Sequence, residues 1–485
     1  MKTKRITFVS LKLFKFTTVK AFLIMKKIVA PFVFIVLLMA CKKDMTVSNS
    51  GTASEDVNTW IYNTMSYYYL WNTNMPKIST TNLKDNPMKY FYSILYDYTN
   101  TDRFSWIDSS ATNLANQLNG INTVLGIKYS IFYTDNTQAN IAFVIAYVLK
   151  GSPAEKAGLK RGDIILKVDD KTITASNYAT ILQNETLKLG LGSYAAGVFT
   201  STGVSASLTK VELQTNPILK DTIIKWGGKK VGYIAYIQFL SSFDDSLRNV
   251  FGRFKSGGVN ELVIDLRYNG GGYVSSSDLM TNLIVKDLAA RVGTVMNKKV
   301  YNATYTEELN KSSGSSAFNT NFKLESNNLG TLTRVFFLVS NSSASASELV
   351  INNLKPFMDV ILVGEHTYGK NVGSFTLTDS KNRWNYGLQP ITFKIANAKD
   401  ESNYGTKDGF LPNIAITDNV LPFKQLGDPY ETVLNKALLF ISPVAFQPFS
   451  ASGNTPQTKA SLFQNKAVSD NIKMDRQDMW MKPNL

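Results

Sequence analysis

The sequence predicts a multidomain α/β protein: a small helical N-terminal domain, a β domain, and an α/β core built on a mainly parallel sheet. Three observations lead there. Strand-like and helix-like segments alternate from about 223 to 443, the pattern of parallel strands joined by covering helices. Short apolar strands with one turn-helix unit precede them, between about 120 and 214. Ahead of both, aromatic residues from Trp60 to Trp71 recur at mixed spacings of three and four, which suggests a packed helix. At 485 residues the chain exceeds what one core usually fills, and its 44% hydrophobic content supplies several cores.

Residues 1–41 read as a signal peptide. Lys26 and Lys27 precede an apolar run over 28–40 that is too short for a membrane span but right for a signal-peptide core. Met25-Lys26-Lys27 offers a second start. The run ends in Leu38-Met39-Ala40-Cys41, which resembles a bacterial lipoprotein processing site. That resemblance implies lipidation at Cys41, a membrane anchor, and a place in the cell envelope, on the outer or inner membrane, facing the periplasm or the cell surface. Cys41 is the only cysteine, so no internal disulfide forms. Residues 42–58 are polar and read as a tether. The formal charge of +15 falls to about +7 once the eight basic residues of the first 40 are set aside, and no dense basic run follows. Nucleic acid is therefore not an expected partner.

The helical domain is expected over 59–118, with a second helix over 87–98. The β domain is expected over 119–218. In it, a strand over 141–149 leads into Gly151-Ser152-Pro153-Ala154-Glu155-Lys156-Ala157-Gly158-Leu159, then Lys160-Arg161-Gly162-Asp163 and a strand over 164–168. This run resembles a PDZ domain. The resemblance implies that Val124-Leu125-Gly126-Ile127 is the carboxylate-binding loop, with backbone N–H groups at Leu125, Gly126 and Ile127 holding a substrate end while the substrate adds as a strand. A β domain that merely packs on its neighbour is the plainer alternative. The core is expected over 219–445, with strands over 231–239, 262–266, 335–339 and 360–363 and helices over 244–255 and after Ser345. Residues 446–485 are polar and expected to form a disordered tail.

The chain has one histidine, His366, and one cysteine, so metal sites built on several such ligands are excluded, and no Walker or dinucleotide fingerprint appears. No metal or cofactor is expected. Ser342-Ser343-Ala344-Ser345-Ala346-Ser347-Glu348 lies between a buried strand and an apolar helix. A serine there presents its hydroxyl at a helix N-terminus, where developing negative charge is stabilised. Ser345 with Glu348 is also a capping box, and taken alone this is the stronger reading. Gly364-Glu365-His366-Thr367-Tyr368-Gly369-Lys370 places a lysine after the next strand. Such a lysine acts as a general base only where burial drives its pKa far down; singly, most lysines are surface charges. Asp265-Leu266-Arg267-Tyr268-Asn269-Gly270-Gly271-Gly272 ends a strand in three glycines, which allow a backbone N–H to approach a substrate carbonyl or simply form a flexible turn.

Together, in this order and behind the PDZ-like run, these three motifs resemble the carboxyl-terminal processing peptidases, or tail-specific proteases, over about 120–441. The Ser345 to Lys370 interval of 25 residues agrees with that family. The resemblance implies a ClpP/crotonase-like core, polypeptide substrates, Ser345 as nucleophile, Lys370 as its base, and an oxyanion hole from the N–H groups of Ala346 and Gly271, with Gly270 the alternative. Many members carry a glutamine four residues after the lysine to orient it; here Ser374 stands there, a substitute hydrogen-bond partner for Lys370. Pro356 stands where some members have an aspartate, and His366 ranks below structural packing. Two rivals remain: a catalytically inactive PDZ-containing peptide-binding lipoprotein, and a Ser/Lys hydrolase of non-peptide esters.

Overall fold

The computed structural model describes residues 51–443 and 479–481. The expected signal peptide over 1–41, with Cys41, and most of the tail lie outside the described residues.

Helices Gly51–Tyr68 and Pro87–Ser93 open the structure. Asn86 caps the second by accepting from the Met88 N–H, and Pro87 fills the first helical position, where a missing N–H costs nothing. The expected helix over 87–98 stops at Ser93, and Asp97 and Thr99 beyond it take positive φ, a turn rather than a helix. These helices do not enclose a core of their own. Ile61, Met65, Tyr69, Tyr90 and Phe91 share one apolar cluster with Tyr301, Phe375, Leu388 and Phe393 from the C-terminal half.

The β domain is an antiparallel sheet in the order Ile127–Tyr133, Ile141–Val148, Ile164–Val168, Thr186–Ala195, Val198–Thr209. Ser152 caps the short helix Pro153–Lys156 by accepting from the Glu155 N–H at 3.2 Å. Gly126 crosses directly over this cap with φ +88°, where a Cβ would stand 2.0 Å from that of Ser152. Only glycine lets the loop pass there.

The core sheet runs Ile218–Trp226, Lys229–Tyr236, Glu261–Asp265, Arg334–Val339, Asp359–Gly364, Ile414–Ala415. Its first pair is antiparallel and every later pair parallel, the mainly parallel sheet that the alternating segments predict. Helices Asp244–Ser256, Val274–Ile284 and Ala346–Leu354 bury apolar faces on one side of it, and Thr432–Ile441 covers the other. Strand residues alternate between the two clusters, Ile264 and Phe337 to one and Val263 and Phe336 to the other, as a period of two requires. The C-terminal ends of three neighbouring parallel strands, at Asp265, Val339 and Gly364, thus feed three loops at one edge of the sheet.

A second sheet was not legible in the sequence. It runs Gly272–Tyr273, Met479–Met481, Val372–Phe375, Ile391–Asn397, Val295–Tyr301, Asn319–Asn321. Met479–Met481 corrects the expectation of a disordered tail over 446–485. Met479 and Trp480 are buried, at 0% and 4% exposure, and Met481 is partly buried.

Candidate active site

The three loops at the sheet edge are bound to one another through backbone groups. In the serine loop, Ser343 Oγ donates to the Leu266 carbonyl at 2.7 Å and Ser347 Oγ to the Asn269 carbonyl at 3.0 Å. The Ala344 N–H donates to Asn269 as well, at 3.1 Å. The outer two serines of Ser-Ala-Ser-Ala-Ser are therefore spent on holding the glycine loop, while the middle one has a different fate. Ser345 Oγ is buried and has no hydrogen-bond partner.

Ser345 takes φ 64° and ψ −113° immediately before helix Ala346–Leu354. A non-glycine residue held there stores about 1–3 kcal/mol of strain, a cost typical of functional turns between strand and helix. Its capping-box partner is in place, since the Ser345 N–H donates to Glu348 Oε2 at 2.8 Å. The reciprocal contact, from the Glu348 N–H to the Ser345 hydroxyl oxygen, has the capping-box arrangement but falls short of a hydrogen bond, which leaves the hydroxyl unengaged.

Glu348 does more than cap. Its Oε2 also accepts from the Lys370 N–H at 2.8 Å, and its Oε1 accepts from the Gly369 N–H at 2.7 Å and from the Thr367 hydroxyl. Four donors converge on one fully buried carboxylate, so the backbone of the serine loop and that of the lysine loop are pinned to the same two oxygens. Burial pushes the Glu348 pKa up, and the donors from Thr367, Lys370, Ser345 and Gly369 work against that rise. Every neighbour donates and none accepts, so all four bonds are made to carboxylate lone pairs. The sequence showed Glu348 only as a capping residue, because partners 19 to 22 positions away leave no local pattern.

Lys370 is fully buried, its Nζ 4.8 Å from the centre of the Phe104 ring. Arg103 donates to the Gly369 carbonyl at 2.9 Å, so the segment leading out of the N-terminal helices forms one wall of the lysine's chamber. Gly369 takes φ +87°, and a Cβ there would lie 1.6 Å from the Thr406 carbonyl oxygen, so the turn that delivers Lys370 admits no side chain.

The other sequence candidates sort as follows. Ala346 is the first residue of its helix, so its N–H lies outside the intrahelical ladder and at the positive end of the dipole. Gly271 donates its N–H to Asn269 Oδ1 at 2.9 Å and so is engaged within its own loop. Gly270 and Gly271 line a cleft of about 560 Å³ that is also lined by Val124, Gly126 and Ile127. Leu125 instead buries its side chain in the β-domain core. Ser374 is buried with an unpartnered hydroxyl, so it does not take up the hydrogen bond to Lys370 expected of it. His366 is exposed and pairs with the neighbouring Thr367 carbonyl at 2.8 Å, apart from the buried corner. Cys41 lies outside the described residues.

Behind the glycine loop, two buried cations join the β domain to the core. Arg161 reaches Asp418 at 3.0 Å, Glu431 at 3.3 Å, the Tyr268 hydroxyl at 2.7 Å and the Lys424 carbonyl at 2.8 Å. Arg267 pairs with Asp265 at 2.7 Å and with Glu431 at 2.8 Å. Tyr268 donates to Asp418. Arg267 and Tyr268 sit directly before Asn269, so the junction and the glycine loop are one continuous stretch of chain.

Comparison with known proteins gives this geometry its context. Residues 230–416 match the peptidase family S41 model, residues 144–190 a PDZ domain model and residues 56–106 the peptidase S41 N-terminal domain model. A Bacteroides fragilis crystal structure with a provisional S41 protease assignment superposes over 80% of this chain and 98% of its own, at TM-score 0.67 and 27% identity. The chain is 23% identical over 315 residues to a chloroplastic C-terminal processing peptidase of Tetradesmus obliquus, and 24% identical over 297 residues to a carboxyl-terminal-processing protease of Synechocystis. The matches span 62% of the length of each of these two relatives. An S41 N-terminal domain, a PDZ domain and an S41 peptidase domain are thus matched in the order in which the corresponding segments are folded here, and the chain is similar to peptidase family S41 across them.

Proposed function

We propose that this protein is a serine-type endopeptidase of the carboxyl-terminal processing type, cutting extended or C-terminal polypeptide segments with Ser345 and Lys370. The observation that carries the reading is the Glu348 carboxylate, which holds the Ser345 and Lys370 backbones on one oxygen while the flanking serines are consumed elsewhere. Ser345 Oγ attacks the peptide carbonyl and Lys370 Nζ, as a neutral amine, takes its proton. The tetrahedral oxyanion is met by the Ala346 N–H at the helix N-terminus and by the glycine loop. Gly271 serves there only by exchanging Asn269 Oδ1 for the substrate oxygen, which makes the present arrangement a resting one. Lys370 returns the proton to the departing amine, and water then hydrolyses the acyl-enzyme.

The PDZ domain faces the same cleft through Gly126 and Ile127, placing a captured chain end beside the glycine loop. With residues 1–41 removed, the purified protein is expected to degrade an unfolded protein such as casein, and Ser345→Ala and Lys370→Met are each expected to lower turnover by about a thousandfold or more. Turnover equal in all three would reject the reading. A Ser345-dependent rate on simple esters with none on polypeptide would favour the esterase instead.

We further propose that Cys41 carries a lipid that holds the enzyme on the cell envelope, facing the periplasm or the cell surface. The Leu38-Met39-Ala40-Cys41 run supports this. Radiolabelled palmitate is expected to enter the wild-type protein and not Cys41→Ser; equal labelling of both would end the proposal.

A further inference from the structure

The strand Met479–Met481 runs parallel to both of its neighbours, with Gly272 opposite Met479, Tyr273 opposite Trp480 on one side, and Ser374 opposite Trp480, Phe375 opposite Met481 on the other. The first neighbour continues from Gly270 and Gly271. The second begins at Val372, two residues after Lys370. The strand therefore separates the arm that carries Gly270 and Gly271 from the arm that carries the lysine. In sequence, 35 residues separate it from Pro443.

Neighbouring strands stand about 4.8 Å apart, so without this one its neighbours would face each other across a slot about 10 Å wide. Each would present unpaired N–H and C=O groups to whatever extended chain came next. The slot is apolar above and below. Met479 packs with Phe375, Leu388 and Phe393 on one face, while Trp480 packs with Trp106, Leu114 and Tyr273 on the other, its ring 3.6 Å from that of Tyr273. Trp480 is also a wall of the cleft shared by Gly270, Gly271 and the PDZ loop. Its indole N–H is buried without a hydrogen-bond partner, although a buried indole normally finds one. The seat thus accepts a bulky apolar side chain by shape and is not built around this particular ring. With the strand in place, Ser345 and Lys370 are both at 0% exposure.

We propose that the slot between Gly272–Tyr273 and Val372–Phe375 docks an extended polypeptide substrate with bulky apolar residues, and that Met479–Met481 is its resident occupant, displaced by substrate before Ser345 can react. The proposal rests on the peptidase reading for the identity of the incoming chain. A strand that only completed the core would show the same burial but would not compete with substrate.

The experiment compares the mature chain, the same chain ending at residue 478, and full-length Trp480→Gly. Freed of its occupant, the shortened chain is expected to cut unfolded protein at least about threefold faster, and Trp480→Gly to rise in the same direction. A synthetic Met-Trp-Met-Lys-Pro-Asn-Leu peptide is expected to inhibit the shortened chain by raising KM with kcat unchanged. Equal or slower cutting by a shortened chain that keeps its melting temperature overturns the proposal. If shortening prevents folding, Trp480→Gly with added peptide decides, and a peptide without effect on it overturns the proposal. A fluorescent form of the peptide reads docking without turnover. Binding to the shortened chain, none to the full-length chain, and displacement by unfolded protein support the slot even if nothing is cut, whereas binding that unfolded protein does not displace overturns it.

Discussion

Glu348 and Glu431 are both fully buried carboxylates at helix N-termini, Glu348 in the first turn and Glu431 at the cap position, yet they keep different company. Glu348 meets only neutral donors: the Ser345, Gly369 and Lys370 N–H groups and the Thr367 hydroxyl. Glu431 meets two guanidinium groups, Arg161 and Arg267, and caps helix Thr432–Ile441 through the Leu434 N–H at 2.9 Å. Neutral backbone donors bind a carboxylate in fixed directions, so Glu348 sets where two loops lie relative to each other. Charged side chains on flexible stems reach across gaps, so Glu431 joins elements from separate domains. One carboxylate therefore positions the serine and lysine loops and the other holds the PDZ domain to the core, and the two roles separate in what a substitution should disturb.

Glu348→Gln should break the first role and produce the largest effect. An amide offers one oxygen and one NH2 where two oxygens now accept four bonds, so at least one loop N–H must face a donor. Leaving such a buried group unsatisfied costs about 1–3 kcal/mol, and the displacement falls on the Ser345 and Lys370 backbones. kcat is expected to drop by about a hundredfold or more with KM little changed, since a shift of about 1 Å in catalytic geometry has that consequence. The pH dependence gives a second reading. Because burial raises the pKa of Glu348 above its ordinary 4.5, the folded state holds a proton that the unfolded state has released, and this contribution to stability is lost as pH rises from that value through the folded one. Glu348→Gln should remove that slope from thermal melts taken across the interval. A variant with wild-type kcat and an unchanged slope would show that Glu348 is only a helix cap.

How much of this was readable from residue order depends on how local each interaction is. Strands Ile141–Val148, Ile164–Val168 and Arg334–Val339 were legible because each carries its own apolar run between turn signals. The serine, lysine and glycine loops were legible because contiguous motifs mark them. What joins them was not, since Ser343 and Ser347 find partners 77 and 78 residues away and Phe104 reaches Lys370 from another domain. Ser374 looked like a substitute for a glutamine by position alone, and its short hydroxyl makes no bond to anything. Met479–Met481 was hidden for a related reason: three apolar residues in a polar tail carry no period, and only the slot between two distant strands gives them a place.

The second role is tested at Arg161, with a smaller effect expected on catalysis and a clear one on stability. Arg161 belongs to the PDZ domain, yet it donates to Asp418, Glu431, Tyr268 and the Lys424 carbonyl, all in the core. Arg161→Met keeps much of the volume and leaves Asp418 and Glu431 sharing Arg267 alone. Removing one member of a buried ionic cluster costs about 3–5 kcal/mol, and the retained Arg267 contacts to both carboxylates place this case at the lower end. The loss should appear as a lower melting temperature and faster proteolysis between the two domains, with kcat falling far less than in Glu348→Gln. Adding Asp418→Asn should cost less than the sum of the two single changes, because the carboxylate that Arg161→Met leaves short of a partner is then neutral. Strict additivity would mean that Arg161 contributes by packing on the Phe423 ring, 4.5 Å away, and not through the carboxylates. Equal losses of kcat in Arg161→Met and Glu348→Gln would mean that the junction, continuous with the glycine loop through Arg267 and Tyr268, also sets the catalytic geometry.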